Sequence, residues 1–370
     1  MHQGPSATKV ELHGYSKKVE RASYIDVLKI LAALAVVLLH TNSAFWEGPA
    51  TPTWAPAALI QTLLLWAAPM FFMISGATLF DYRKKMTTST YAAKRVRKTV
   101  IPYCAWNAIA ILFFTIGPFE VISPALSVRE LFKAYILPGV SPYTLSVYWY
   151  FPALYAVYIA IPFLSSMEYK YLRVLACILV IFQSAIPTFA AISGIQFINS
   201  DFAGSLNIGY ALLAVLGFVL SKEEIPREWR IALYVLGALS WGAEFFGTLA
   251  VSNATDGVVP TYVSYVGLFC LIQTAAVFVF TKNACSRLES VLHGNALRNW
   301  QEKSARLASL TFGVYLIHFY FTSCLPKAFP IDCYSLSWKL LGGVAIFAGC
   351  SVITAALGKI PRVNKVLLGK

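Results

Sequence analysis

Apolar stretches of about twenty residues, parted by short polar and basic segments, recur along the chain from Tyr24 to its last dozen residues. Ten are legible, at 24–46, 57–80, 99–117, 146–165, 171–190, 203–221, 231–249, 260–281, 307–325 and 337–358. Each is as long as a helix needs to cross the hydrocarbon core of a bilayer. A helix also satisfies its own backbone there without water. The pattern predicts an all-α protein, a polytopic membrane helical bundle of about ten transmembrane helices. Pro69, Pro152 and Pro162 fall inside spans, which membrane helices tolerate where neighbours satisfy the freed carbonyl. Neither half of the chain visibly repeats the other. Residues 1–23 read as a flexible cytosolic tail and not a cleaved signal, because the first apolar stretch is too long and lacks a small-residue cleavage site. Residues 24–358 read as one transmembrane domain, and 359–370 as a basic cytosolic tail. The longest inter-span segment, 118–145, has room for a short surface helix around 128–135.

The basic residues give the orientation. With the N-terminus in the cytosol, only Arg129, Lys133, Lys327 and Lys339 fall on the outer side, Lys29 lies within the first span, and every other Lys and Arg is cytosolic. Both termini are then cytosolic. This asymmetry also disposes of nucleic acid as a partner, which a net charge of +13 would otherwise suggest: the excess charge is a topology signal. Composition agrees. The chain is 58% hydrophobic and 13% charged, with a mean hydropathy of +0.64, where soluble domains carry about 25% charged residues. The seven cysteines show neither zinc spacing nor a CxxC pair, so no metal is expected. Cys324 and Cys333 flank the last outer loop and could pair if that side is oxidising, which the sequence leaves open.

Ionisable residues inside spans mark sites or polar paths, because they are costly in lipid. The first span reads Asp26-Val-Leu-Lys29-Ile-Leu-Ala-Ala-Leu-Ala-Val-Val-Leu-Leu-His40. Eleven residues of helix return to within roughly 20° of the starting face, about 16 Å further along the axis. Asp26 lies near the same stripe. One face therefore carries an acid, a cation near the membrane surface and an imidazole near mid-depth. His40 is either a hydrogen-bonded packing residue or a base suited to take a proton from a hydroxyl. Lys29 either snorkels to the headgroups or stands at the inner mouth of a cavity facing an anion. Asp26 caps the helix or neutralises Lys29. Lys94-Arg95-Val96-Arg97-Lys98 is a topology anchor or a seat for phosphates. Ser75-Gly76 closes the second span with small residues that permit close helix approach. Trp149 and Tyr150 form an interfacial aromatic belt or a platform for sugar rings. Tyr315 and His318 bring polar groups into the ninth span. Glu244 in the seventh is the other deep acid, held by a structural hydrogen bond or facing a polar cavity.

In these residues the chain resembles the membrane-bound acyltransferase family 3, the integral-membrane O-acyltransferases that modify bacterial surface glycans. The likeness runs from about Tyr24 to about Leu357. It is carried by Lys29 and His40 with ten residues between, by Phe71-Phe72-Met-Ile-Ser75-Gly76, and by the basic run 94–98 before Ile101-Pro102-Tyr103. Trp149-Tyr150 and Gly313-Val-Tyr315-Leu-Ile-His318 complete it. In length and N-terminal style it looks like the short members, such as the enterobacterial common antigen O-acetyltransferases. Many members carry Arg where this chain has Lys29; Lys supplies the charge without the bidentate fork.

The resemblance implies a location in the bacterial inner membrane, and acyl-CoA, usually acetyl-CoA, as the cytosolic donor. Lys29, Lys94, Arg95, Arg97 and Lys98 would bind its phosphates. The acceptor would be a hydroxyl of an envelope glycan or its lipid-linked precursor, held by Trp149, Tyr150, Ser75 and His318. His40 would be the general base, with Asp26, Glu244 and Tyr315 as further catalytic candidates, and Tyr315, Ser75 or backbone N–H groups at the oxyanion. The competing reading is a proton-coupled small-molecule transporter, since broken helices and intramembrane charges also suit a carrier.

Overall fold

The computed structural model describes residues 22–116, 127, 129, 132–133 and 145–370. The N-terminal tail up to residue 21 and nearly all of segment 118–145 lie outside the described residues. The helices are α1 (Ser23–Thr41), α2 (Trp54–Leu64), α3 (Ala67–Leu79), α4 (Thr88–Arg95), α5 (Ile101–Ile116), α6 (Tyr150–Leu164), α7 (Tyr169–Leu179) and α8 (Ile186–Ser193). They continue as α9 (Ser200–Ser205), α10 (Ala211–Lys222), α11 (Arg227–Thr255), α12 (Leu268–Val291), α13 (Gly294–Ala308), α14 (Thr311–Ala328), α15 (Gly343–Leu357) and α16 (Pro361–Leu367). No strand occurs among the described residues. Seven helical segments among them are long and apolar enough to cross a membrane, and α13 with α14, meeting at 45°, makes an eighth. The other two predicted spans are the shorter helices α5 and α10. The protein is a polytopic helical membrane bundle.

Local chemistry explains the breaks. Pro69 has no N–H to give the carbonyl of Leu65 four residues back, and the second span is interrupted there, between α2 and α3. The Thr87 hydroxyl caps α4 by accepting the Thr90 N–H at 3.3 Å. Between α4 and α5 the chain takes one wide turn of π-helix, Val96–Val100, which carries Arg97 and Lys98.

α1 is the central helix, packed against α2, α3, α12, α13, α14 and α15. Its neighbour α3 crosses α10 at backbone distance. A Cβ on Gly76 would fall into the carbonyl of Ala214, and one on Gly217 into that of Met73. The expected close approach at Gly76 is therefore real, and two glycines permit it. The outer helices α7–α8, α11 and α15 keep only 28% of their apolar windows buried. Side chains such as Leu239, Phe246 and Val352 point away from the bundle, an arrangement stable against acyl chains.

The C-terminal helix is tied to the basic segment. Trp106 Nε1 donates to the carbonyl of Leu367 at 3.0 Å, Leu368 is buried, and Gly369 lies against the backbone of Lys98. The basic run and the C-terminus therefore share one end of the bundle. Cys324 and Cys333 are both free thiols, so the pairing considered from the sequence is not formed.

Candidate active site

A cavity of about 530 Å³ runs beside α1. That volume falls within the range of small-molecule sites, roughly 300–1,000 Å³. Its walls follow the helical period. α1 gives Lys29, Val36 and His40; α3 gives Ala68, Phe71, Ser75 and Thr78; α6 gives Tyr150, Leu154 and Tyr158; α14 gives Thr311, Phe312 and Tyr315. Within each set most members stand three, four or seven residues apart, so each helix turns mainly one side inward.

One end of the cavity is cationic. Lys29, Arg95 and Thr99 line it. The Arg95 guanidinium lies between two tyrosine rings, 5.7 Å from the centroid of Tyr91 and 5.5 Å from that of Tyr158, and its Nε has no partner among the described residues. Thr99 donates to the carbonyl of Arg95 at 2.8 Å, which puts both on the same face across the π-turn. Lys98 stands on the exposed side of this entrance. Partial burial, and then the positive charges of Arg95, Lys94, Arg97 and Lys29, hold its ammonium below the usual lysine range. A lysine crowded by four other cations marks a place ready for an anion.

At the other end Trp149 stacks on Tyr265, with ring centroids 5.3 Å apart and planes at 12°. Trp46, Gln61 and Ser146 complete that mouth. Tyr150 sits deeper, packed on Phe72 at 4.7 Å and Tyr315 at 5.6 Å. The burial of Tyr148 and the inward placement of Trp149 and Tyr150 correct the reading of this run as a lipid-facing belt.

His40 lies in the last turn of α1 and not at the middle of a longer span, because the helix ends at Thr41. There Thr41 donates to the carbonyl of Lys339 at 2.8 Å and Asn42 to that of Ala57 at 2.8 Å. The His40 imidazole faces the cavity. Its ring meets His318 at 5.2 Å and Phe319 at 5.5 Å.

The candidates read from the sequence divide into those at the cavity and those elsewhere. Lys29, His40, Ser75, Arg95, Trp149, Tyr150 and Tyr315 line it. Asp26 does not. It is buried, pairs with Lys29 at 3.4 Å, and stands about 21 Å along the helix from His40, too far to act on the imidazole. Lys94, Arg97 and Lys98 also miss the cavity wall: Lys94 lies on α4 and Arg97 and Lys98 on the π-turn, each off the face that Arg95 and Thr99 share. His318 stands behind His40, away from the lining. Glu244 is farthest from expectation. It is wholly buried in α11, which packs on α12, and neither carboxyl oxygen has a partner among the described residues.

The hydroxyls of Ser75 and Tyr315 are engaged, donating to Phe71 O at 2.9 Å and Val147 O at 2.6 Å. As they stand, neither is aimed at a developing oxyanion. Sequence reasoning missed Thr99, Tyr158, Tyr265, Gln61 and Trp46. Thr99 and Tyr158 follow Arg95 and Tyr150 by one and two turns, a signal that was there to read. Tyr265 falls in the predicted span 260–281 but comes from the segment before α12, so helical spacing does not place it.

Fold and cavity define a membrane protein with a buried site between a cationic and an aromatic end. The sequence model of acyltransferase family 3, described as an acyltransferase domain, matches residues 22–357. The chain belongs to that family, and it is a membrane acyltransferase. No curated protein and no solved structure gives a match.

Proposed function

We propose that the protein moves an acyl group, acetyl in the simplest case, from cytosolic acyl-CoA to a hydroxyl of an envelope glycan or its lipid-linked precursor. It does so from the bacterial inner membrane, with both termini cytosolic. One observation carries the reading. A single cavity has Lys29 and Arg95 at one end, His40 about 16 Å along the same helix from Lys29, and Trp149 on Tyr265 at the far mouth.

In this reading the donor's phosphates meet Arg95, Lys29 and the neighbouring Lys94, Arg97 and Lys98. Arg95 offers paired N–H donors, and the lysines act as point charges. The thioester arm then lies along α1 between Val36 and Phe71. A sugar ring rests against Trp149 and Tyr265, placing its hydroxyl at His40. The imidazole takes the hydroxyl proton as the alkoxide attacks the thioester carbonyl. The tetrahedral intermediate collapses, the carbon–sulfur bond breaks, and the imidazolium returns the proton to the departing sulfur. Tyr150 is the phenol at hand for the oxyanion, because its hydroxyl makes no hydrogen bond to the described residues while those of Ser75 and Tyr315 are committed.

The test is transfer of label from acetyl-labelled acetyl-CoA to an envelope glycan fraction by the purified protein in liposomes. Label in the glycan, removed by mild alkaline ester hydrolysis, is the expected result. Absence of label from every hydroxyl acceptor, with donor bound, would contradict the reading.

A further inference from the structure

His318 is wholly buried on α14, directly behind His40 as seen from the cavity, with the two ring centroids 5.2 Å apart and the planes at 44°. Its Nδ1 lies 2.8 Å from the carbonyl oxygen of Tyr315 and 3.2 Å from that of Val314. A carbonyl oxygen only accepts, so Nδ1 carries the hydrogen. In the neutral ring Nε2 is then a bare acceptor. That nitrogen is buried and has no partner among the described residues.

A buried acceptor left unpaired destabilises the fold, and native proteins seldom keep one without a use. The surroundings leave few donors for it. Phe319 closes one side of His40 with an apolar edge, and the Tyr315 hydroxyl is given to Val147. The polar ring that His318 meets across the α1–α14 interface is His40. As the rings stand no hydrogen bond joins them; at this spacing a turn of the His40 ring brings one of its nitrogens within a hydrogen bond's length of Nε2.

We propose that His318 is a positioning residue for the base: with the His40 ring turned toward it, its Nε2 accepts the N–H of His40 and fixes the tautomer in which the other His40 nitrogen presents a lone pair to the cavity. This rests on the reading of His40 as the base. The hydroxyl proton arrives on the cavity-facing nitrogen. The imidazolium that forms shares its charge with His318 through the N–H···N bond, and no proton leaves the pair by that route. The same cavity-facing proton then goes to the sulfur as CoA departs, so the cycle needs no further reactant. A carboxylate performs this orienting task in the serine hydrolase triad; here a neutral imidazole, itself locked by a backbone carbonyl, takes the place.

The experiment compares His318→Gln with His318→Met in the purified protein, with His40→Ala alongside. Gln and Met have nearly the same length and shape, and only Gln offers an acceptor. His318→Met is expected to lower kcat by about 100-fold, near the lower end of the usual contribution of general acid–base chemistry. The KM values for donor and acceptor should stay within about twofold, while His318→Gln keeps most of kcat. Equal kcat in the two variants, whether both are high or both are low, would overturn the proposal, as would a loss confined to KM. Should Met lose donor binding, and so the fold, His318→Leu takes its place against Gln with the same expectations. Full transfer by His40→Ala would instead overturn the assignment of the base itself, whatever the His318 variants do.

Discussion

Lys29 and His40 line the same cavity from one helix, Lys29 at its cationic end beside Arg95 and His40 three turns further along. A pair eleven residues apart on a lipid-facing helix would have stranded two polar groups in hydrocarbon. Here the stripe is turned inward by α3, α14 and α15, which pack around α1. The same helix face can therefore hold a phosphate-bearing head and place a base at the reacting end of the arm. Asp26 keeps Lys29 in place through their 3.4 Å contact.

The basic segment separates into one residue at the cavity and three beside it. Arg95→Ala should weaken acyl-CoA binding by about 10- to 100-fold, since a charge-assisted contact is worth about 1.5–3 kcal/mol. Lys94→Ala and Arg97→Ala should each cost less than about fivefold, because neither side chain lines the cavity, Arg97 is exposed, Lys94 is only half-buried, and their attraction is screened. Isothermal titration of purified protein with CoA checks both. Equal losses at positions 95 and 97 would remove the distinction.

Glu244→Gln should leave acyl transfer within about twofold and thermal stability unchanged or raised. The carboxyl is fully buried, has no partner among the described residues, and lies outside the cavity lining, so a neutral side chain of the same shape keeps the packing and removes only the need for the buried acid to be neutralised by a proton. Initial rates and thermal unfolding in detergent decide it. A rate loss beyond about tenfold would restore Glu244 to the chemistry.

Gly76→Leu, or Gly217→Leu, should lower stability by at least about 1–3 kcal/mol, the usual cost of overpacking, because a side chain at either position meets backbone and not a movable side chain. Gly242→Leu is the control, since a Cβ there meets nothing within 4 Å. Thermal melts of the three variants should rank Gly242→Leu well above the other two. A common melting temperature would mean that α3 and α10 separate at little cost.

The legible parts of this protein were those that depend on one helix at a time. Spans follow from apolar length, and the Lys29–His40 stripe from the turn angle. The Gly76 contact follows from the rule that small residues mark close crossings. What the sequence withheld depends on two or more segments meeting. Glu244 reads as a candidate because an acid in a span is conspicuous, yet whether it meets a cavity depends on how α11 packs on α12. Arg95 and Arg97 look equivalent in a basic run, but residues two apart point to opposite sides of a helix, and Arg95 is the one that lines the cavity. His318 seemed to be an acceptor contact because it shares a motif with Tyr315. In the fold Tyr315 reaches the cavity, while His318, three residues on, backs onto His40. Tyr265 falls in the predicted span 260–281, but the helix begins at Leu268, so helical spacing does not place it at the site, where it stacks on Trp149.

The decisive measurement is the kcat for acetyl transfer of purified His40→Ala beside the unsubstituted protein, with CoA affinity measured on the same preparations. The expected result is a fall of about 10²–10⁴-fold in kcat with CoA affinity unchanged. Transfer at the full rate by His40→Ala would contradict it, because the cavity would then deliver the thioester to a base that is not on α1.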